Sequence, residues 1–173
     1  NRVEASLSVP FAVVEHGKKV DLPPGLRVAA VDDADYIRQM DADCFASLGV
    51  DAVLRGATAD EIATFPAFVA RMRPPPQVVL LDENLDDPQT LRPFVKGTDL
   101  IARLREGGYE NKVVIRSANQ ASADRARYRA CGADASLDKG LSQEAFARDW
   151  PGIVETILRE GFMQLRPVNV REP

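Results

Sequence analysis

The sequence is poor in the side chains that build metal centres from nitrogen and sulfur ligands. It contains one histidine, His16, and two cysteines, Cys44 and Cys131, which form no C-x-x-C pair. A site built from several histidines is therefore excluded. Two isolated thiols in 173 residues indicate a reducing compartment rather than a disulfide scaffold, so we expect a cytoplasmic protein.

Long apolar runs and an excess of positive charge are also missing. No segment approaches the roughly 20 apolar residues that a membrane span requires, so we expect no membrane contact by this segment. The formal net charge is −4 and the isoelectric point is about 5.1, which argues against nucleic-acid binding. The composition, 45% hydrophobic and 28% charged, is ordinary for a globular protein.

Short apolar runs do alternate with stripes of apolar residues at helical spacing. The runs that predict strands are 26–31, 50–54, 77–81, 112–115 and 135–138. This alternation predicts an α/β fold with a five-stranded parallel sheet and helices on both faces. We assign residues 1–25 to an N-terminal strand and linker, 26–160 to the main domain and 161–173 to a C-terminal tail. The chain starts at Asn1, which is no natural initiator, and we expect it to be a piece of a longer or processed protein.

Three local features carry their own predictions. The 15 residues from Glu83 to Gly97 read as a long loop, which in a compact domain is often functional. Pro151 is predicted to split the last helix, with Asp149 as N-cap of the second piece. Arg116, at the end of an apolar strand, either extends to solvent or pairs with a site carboxylate, and the first interpretation is favoured.

Polar side chains follow the predicted strands where each one ends. Asp32 and Asp33 follow the first strand, Asp82 the third, Ser117 the fourth and Lys139 the fifth. The carboxyl ends of parallel strands meet at one edge of the sheet, which is where sites form. Three neighbouring carboxylates repel one another unless a hard cation such as Mg²⁺ lies among them. An Asp beside Mg²⁺ can itself accept a phosphoryl group, and a Lys can pair with the phosphoryl oxygens. Asp32 and Asp33 could alternatively cap the following helix.

Four motifs in this order resemble the receiver domains of two-component response regulators, over about residues 26–160. They are Val31-Asp32-Asp33, Leu80-Leu81-Asp82-Glu83-Asn84-Leu85, Ser117-Ala118 and Gly132-Ala133-Asp134-Ala135-Ser136-Leu137-Asp138-Lys139. The resemblance implies a flavodoxin-like fold with strand order 2-1-3-4-5. It also implies a phosphoacceptor that catalyses its own phosphorylation and slow dephosphorylation and is otherwise not an enzyme.

The resemblance assigns a role to each matching residue. Asp82 is the phosphoacceptor, and Ser117 and Lys139 complete the catalytic set. The implied ligands of Mg²⁺ are Asp33 and Asp82 directly, Asp32 through water and Asn84 through its backbone carbonyl. The phosphoryl group would be bound by Ser117, the Ala118 backbone N–H and Lys139.

The sequence departs from the family pattern at two positions beside the phosphoryl site. Ser136 stands where the family usually has an aromatic residue, and Gly140 stands where a proline usually follows the lysine. Two functions therefore remain open. The domain could be a switch that accepts a phosphoryl group from a histidine kinase or a histidine phosphotransfer protein, or a non-switching (pseudo-receiver) interaction module of the same fold.

Other function classes fit the sequence less well. A haloacid-dehalogenase-type phosphatase needs a second Asp two residues after its nucleophile, and that position is Asn84. A dinucleotide-binding enzyme needs a Gly-rich turn after the first strand, and Asp32-Asp33-Ala34-Asp35 is not one. The alternating segment Arg2–Pro10 resembles the last strand of a sensor kinase's ATP-binding domain. Two contexts therefore stay open, the receiver of a hybrid histidine kinase and a stand-alone receiver with extended ends.

Overall fold

The apolar runs of the sequence form the central sheet. The computed structural model describes residues 22–159 and the backbone of residues 163 and 164, so the predicted strand Arg2–Pro10 lies outside the described residues. The strands are β1 (Arg27–Val31), β2 (Asp51–Arg55), β3 (Val78–Asp82), β4 (Asn84–Asp86), β5 (Pro93–Lys96), β6 (Lys112–Ser117), β7 (Ala135–Asp138) and β8 (Met163–Gln164). The helices are α1 (Asp35–Ser47), α2 (Ala59–Ala63), α3 (Phe65–Arg71), α4 (Gly97–Glu106), α5 (Ser122–Ala130) and α6 (Gln143–Arg159).

The strand order confirms the predicted topology and adds one strand. The main sheet runs β2-β1-β3-β6-β7-β8, and every neighbouring pair is parallel. When the strands of this sheet alone are numbered along the chain, β6 and β7 are the fourth and fifth, so the first five strands have the predicted order 2-1-3-4-5. The sixth, β8, lies in the segment that the sequence assigns to a C-terminal tail and pairs Met163 with Ala135.

Helices cover both faces of this sheet, as predicted. Successive strand residues point to opposite faces, and the buried residues accordingly fall into two clusters. The first cluster packs α1 and α6 against one face, with Phe45 and Trp150 in edge-to-face contact at 5.3 Å. The second packs α2 to α5 against the other face. Among the described residues, no helix is both long enough and apolar enough to cross a membrane.

The prediction that Pro151 splits the last helix is wrong. Helix α6 is continuous from Gln143 to Arg159, with Pro151 inside it, and Asp149 lies within the helix rather than at an N-cap. Proline removes one backbone hydrogen bond from a helix interior. The buried side of α6 extends across the proline, from Phe146 to Ile157, and its packing against the sheet holds the two halves in one helix.

The prediction of a 15-residue loop after β3 is also wrong. Strands β4 and β5 form an antiparallel hairpin within it, pairing Leu85 with Val95. Asp87 shapes the turn, because its carboxylate accepts hydrogen bonds from the Gln89 N–H and the Thr90 hydroxyl. Leu85 is buried and anchors the hairpin to the core. The strands have three and four residues, too few to show a clear alternation in the sequence.

Two glycines let the chain pass close to the carboxyl ends of β1 and β3. A Cβ atom on Gly56, whose φ is +117°, would lie 2.2 Å from the backbone oxygen of Asp32. A Cβ atom on Gly97 would lie 2.3 Å from the backbone oxygen of Asp82. Gly97 also donates its N–H to the Glu83 carbonyl at 2.9 Å. The end of the hairpin therefore lies directly against the backbone of Asp82.

We expect Gly97→Ala to destabilise the protein by roughly 1–3 kcal/mol, because the added methyl group clashes with backbone that cannot move aside cheaply. Urea unfolding followed by circular dichroism measures the change. Gly140→Ala is the matched control, since its nearest neighbour is a side-chain atom, Asp138 Oδ1 at 3.2 Å, rather than backbone. Equal losses in the two variants would contradict the close approach at Gly97.

Candidate functional site

Three carboxylates meet at the carboxyl edge of the sheet. Asp32 follows β1, Asp33 follows Asp32, and Asp82 is the last residue of β3, which pairs directly with β1. One oxygen from each side chain lies within 4.8 Å of the others. We call these three residues the acidic cluster. Asp82 is 1% exposed and Asp32 is 2% exposed, so two of the three carboxylates are nearly removed from water.

Lys139 brings a positive charge to this cluster from the end of β7. Its ammonium lies 3.0 Å from Asp82 Oδ2 and 3.4 Å from Asp32 Oδ2. The Lys139 backbone N–H donates to the Ser117 carbonyl at 3.1 Å, which fixes where the side chain begins. Burial opposes the charge of Lys139, but the charges of Asp32 and Asp82 outweigh burial and raise its pKa. The side chain is therefore a cation at neutral pH.

Asp82 is the least satisfied carboxylate of the cluster. Burial, followed by the charge of Asp32, raises its pKa to about 6 against the opposing charge of Lys139. Its Oδ1 is buried and has no hydrogen-bond partner among the described residues, and its contact with Lys139 through Oδ2 is an ion pair without directed hydrogen-bond geometry. A cluster of acceptor-only oxygens with an unpartnered atom fits a hard divalent cation such as Mg²⁺.

The β4–β5 hairpin closes one side of the cluster. Burial raises the pKa of Asp33, and the backbone N–H groups of Asp33 itself and of Asp86 lower it without offsetting the burial. Asn84 begins the hairpin, and its side chain accepts a hydrogen bond from Lys96. The predicted role of the Asn84 backbone carbonyl as a metal ligand stays a prediction.

Arg116 also contacts the acidic cluster, so the favoured prediction that it extends to solvent is wrong. Its guanidinium is 4% exposed, lies 3.1 Å from Asp32 Oδ2, and makes two 2.9 Å hydrogen bonds to Asp41 of α1. Strand β6 is central in the sheet, and Arg116 lies on the face that α1 and α6 cover, so no path to water is open. The second interpretation, pairing with a site carboxylate, describes the structure.

Asp41 is the residue that sequence reasoning missed. It lies on the buried side of α1 with Ile37, Cys44 and Phe45. An aspartate at helical spacing within an apolar stripe is a signal, because a buried carboxylate needs a partner. The pKa of Asp41 is raised because burial outweighs the hydrogen bonds from Arg116. The sequence contained that signal, but it did not identify the partner.

Ser117 and its surroundings lie toward the opposite face of the sheet, the one that α5 covers. Ser117 is buried at the end of β6, and its Oγ accepts the Asn119 N–H at 3.0 Å and contacts the Tyr128 hydroxyl at 3.0 Å. Ala118 follows and is exposed. The predicted phosphoryl ligands Ser117 and Ala118 thus begin the loop beside the cluster, while Lys139 contacts the cluster itself.

Glu83, directly after Asp82, ties two helices to this edge. Its buried carboxylate accepts the Thr98 N–H of α4 at 3.0 Å and pairs with Arg127 of α5 at 2.6 Å. The sequence identified Glu83 only as part of a motif. Its role is structural, because it fixes α4 and α5 next to the candidate phosphoacceptor.

We expect Arg116→Met to lower the free energy of unfolding by about 3–5 kcal/mol, because it leaves the carboxylate of Asp41 buried without a partner. The double variant Arg116→Met/Asp41→Leu should recover most of that loss, since it removes both charges. Urea unfolding of the two single variants and the double variant measures the coupling. Additive losses would contradict the pairing.

Without Mg²⁺, we expect Asp82→Asn to be more stable than the unchanged protein at pH 7.5, by about 1–3 kcal/mol. The native state raises the pKa of Asp82 from 3.8 to about 6, so native protein binds this proton more tightly than unfolded protein. The contribution of Asp82 to the free energy of unfolding is therefore fully present below about pH 4, and it is lost as the pH rises through about 6.

Urea unfolding in EDTA at pH 4.5 and pH 7.5 tests this expectation. The advantage of the Asp82→Asn variant should be larger at pH 7.5. If the two proteins have equal free energies of unfolding, or if their difference does not grow with pH, then the surroundings of Asp82 do not destabilise its ionised form.

Comparisons with known proteins agree with this architecture. No family model matches the sequence, and no curated protein matches it. Solved structures do match. The CheY-like receiver domain protein from Methanospirillum hungatei JF-1 is 18% identical with a TM-score of 0.60, covering 79% of this chain and 99% of that one. The receiver domain of Francisella response regulator 1452 is 20% identical with a TM-score of 0.60, covering 78% and 98%.

A third match is the BeF3-activated receiver domain DrrB, 17% identical with a TM-score of 0.57, covering 79% of this chain and 99% of that chain. The resemblance inferred from the four sequence motifs is confirmed at the level of structure. At these identities the likeness establishes the architecture rather than the chemistry. The chain has the fold of response-regulator receiver domains.

Proposed function

We propose that this chain is a phosphoacceptor receiver domain of a two-component or phosphorelay system. Asp82 accepts a phosphoryl group from the phosphohistidine of a histidine kinase or a histidine phosphotransfer protein. The observation that carries the proposal is the environment of Asp82. One of its buried oxygens has no partner among the described residues, two further carboxylates lie within 4.8 Å, and Lys139 lies 3.0 Å away.

The transfer is a simple displacement. A carboxylate oxygen of Asp82 forms a bond to phosphorus as the bond from phosphorus to the donor imidazole nitrogen breaks, and the electron pair of that bond stays on the nitrogen. The product is an acyl phosphate. Because the pKa of Asp82 is raised only to about 6, the carboxylate is ionised and nucleophilic at neutral pH.

The side chains around Asp82 bind and orient the phosphoryl group. The Lys139 ammonium neutralises phosphoryl oxygens as a point charge, and the Ser117 hydroxyl and the exposed Ala118 N–H donate to them. Mg²⁺ would be held by Asp33 and Asp82, with Asp32 beside it and the Asn84 carbonyl as a further ligand, and when bound it would neutralise charge between the carboxylates and the phosphoryl oxygens. Arg116 and Lys139 already compensate Asp32.

Phosphorylation would bias an equilibrium between two conformations and so control a partner. The domain acts in the cytoplasm, the compartment that its two free cysteines indicate. It turns over no second substrate, apart from the slow hydrolysis of its own acyl phosphate.

A non-switching interaction module is the second candidate, and one observation favours it. The Ser136 hydroxyl lies 3.4 Å from the Gln120 side chain, whose amide donates to the carbonyls of Ser117 and Leu137 at 2.8 Å each. Ser136 stands at the position where the family usually has an aromatic residue, so this polar contact replaces the aromatic side chain there. A module of this kind would keep the fold and the acidic cluster without a conformational response.

We expect incubation with acetyl phosphate and Mg²⁺ to add the mass of one phosphoryl group, measured by intact mass spectrometry. EDTA and Asp82→Asn should each abolish the addition. Asp99→Asn is the matched control, because it changes an exposed carboxylate of α4 outside the cluster, and it should be labelled as the unchanged protein is.

Label that survives in Asp82→Asn would overturn the proposal. Absence of label from both acetyl phosphate and a phosphohistidine donor protein would instead support the non-switching module. Label could also appear while the backbone amide hydrogen exchange of the segment from Ser117 to Lys139 stays unchanged. That result would mean that the site accepts phosphoryl groups but does not switch.

A further inference from the structure

A buried tyrosine on α5 contacts the candidate phosphoryl ligand Ser117. Tyr128 is 0% exposed, and its hydroxyl lies 3.0 Å from Ser117 Oγ and 3.2 Å from the Asn119 carbonyl oxygen. Its ring packs in the second hydrophobic cluster, together with Ile101 and Ile115. The ring is thus fixed by the core, and only the hydroxyl reaches the edge of the sheet.

The proton of Ser117 is available when the Tyr128 hydroxyl donates to Ser117 Oγ, the shorter of its two contacts. A serine hydroxyl accepts two hydrogen bonds and donates one. Ser117 Oγ accepts from the Asn119 N–H at 3.0 Å. The single proton of the Tyr128 hydroxyl has two acceptors within reach, Ser117 Oγ at 3.0 Å and the Asn119 carbonyl at 3.2 Å, and the shorter contact is the one in which Ser117 accepts. In that arrangement both acceptor positions are filled, the side chain is held in one orientation, and the Ser117 O–H is free to donate to a phosphoryl oxygen.

Among the described residues, the contacts on the side of Ser117 that faces β7 are polar rather than aromatic. The Gln120 amide donates to the Ser117 carbonyl and to the Leu137 carbonyl, and Ser136 contacts the same glutamine. These contacts fasten the backbone of the β6–α5 loop to β7. In the described part of the chain, the aromatic group that contacts the Ser117 hydroxyl comes from α5.

The residue before Tyr128 connects the same helix to Asp82. Arg127 pairs with Glu83 at 2.6 Å, and Glu83 follows Asp82 directly. The Arg127 guanidinium also lies 5.0 Å from the centre of the Tyr128 ring. Two consecutive side chains of α5 therefore contact the ends of two different strands, β3 through Glu83 and β6 through Ser117.

We propose that Tyr128 is a positioning residue for Ser117, and that it transmits the presence of a phosphoryl group on Asp82 to α5. The inference rests on the proposed phosphoacceptor function and extends it. When the Ser117 O–H donates to a phosphoryl oxygen, its oxygen becomes a better acceptor for the Tyr128 O–H, because hydrogen bonds in a chain polarise one another. The contact between β6 and α5 tightens as a result.

The matched pair of variants is Tyr128→Phe and Tyr109→Phe. Each removes one buried tyrosine hydroxyl and keeps the ring. The Tyr109 hydroxyl donates to the Pro76 carbonyl at 2.9 Å, at the amino-terminal edge of the sheet and away from the acidic cluster. Loss of stability alone should affect both variants in a similar way.

Three quantities are measured on the full chain with acetyl phosphate and Mg²⁺. They are the initial rate of phosphorylation, the half-life of the phosphorylated protein, and the hydrogen exchange of α5 with and without phosphorylation. We expect Tyr128→Phe to be labelled at Asp82 but about 3- to 10-fold more slowly, the change that one ordinary hydrogen bond gives. The phosphorylation-dependent protection of α5 should be lost, whereas Tyr109→Phe should keep both properties.

Ser117→Ala separates positioning from a general structural effect. If Tyr128 acts through Ser117, then Tyr128→Phe in the Ser117→Ala background should slow labelling no further than Ser117→Ala alone. Rate losses that multiply in the double variant would overturn the inference.

The outcomes distinguish this inference from the proposed function. If the unchanged protein takes label neither from acetyl phosphate nor from a phosphohistidine donor protein, the proposed function fails and this inference fails with it. If the unchanged protein and Tyr128→Phe are labelled at equal rates with equal protection of α5, this inference alone is overturned. Slower labelling in Tyr128→Phe with lost protection of α5 supports both.

Discussion

The structure depends on how charge is balanced at the carboxyl edge of the sheet. Asp32 Oδ2 is contacted by both Arg116 and Lys139, at 3.1 Å and 3.4 Å. Asp41 accepts hydrogen bonds from Nη1 and Nη2 of Arg116, and Asp82 Oδ2 lies 3.0 Å from the Lys139 ammonium. The acidic cluster together with Asp41 contains four carboxylates against these two cations, so negative charge remains where Asp82 lies. Such an edge suits one divalent cation and a nucleophilic carboxylate.

Burying these charged side chains is itself destabilising, and other interactions in the fold must offset it. Burying Arg116 with Asp41 removes two charges from water, and such pairs contribute little net stability even when their geometry is good. What the pair does is fix α1 against the central strand β6. Asp32 and Asp33 lie directly before α1, and Arg116 contacts both Asp32 and Asp41, so the helix and the two carboxylates are held in one arrangement. The large apolar clusters on both faces supply the stability.

On the other face of the sheet, the end of β6 contributes a hydroxyl group instead of a cation. Continuing the alternation of β6, Arg116 lies toward α1 and α6, whereas Ser117 lies toward α5 and contacts Tyr128. One strand end therefore serves both faces, with a cation for the acidic cluster and a hydroxyl for the candidate phosphoryl site. Glu83 and Arg127 add a second link from the end of β3 to α5. Helix α5 therefore contacts both strand ends beside the candidate phosphoacceptor.

The sequence by itself determined the order of the elements and the residue types at the strand ends. Apolar runs alternating with helical stripes predicted the five-stranded parallel sheet, and four local motifs predicted which residues would lie at its carboxyl edge. These signals are local, so a single sequence contains them. The positions of Asp32, Asp82 and Lys139 follow from strand ends alone.

Tertiary structure decided the contacts that join distant parts of the chain. The partner of Arg116 is 75 residues away, on α1, and no local pattern connects the two. The β4–β5 hairpin is too short to show its period and forms because Leu85 is buried and Gly97 packs against Asp82. Packing also keeps α6 continuous through Pro151. Burial was the deciding quantity in each case, and burial is a property of the whole fold rather than of a segment.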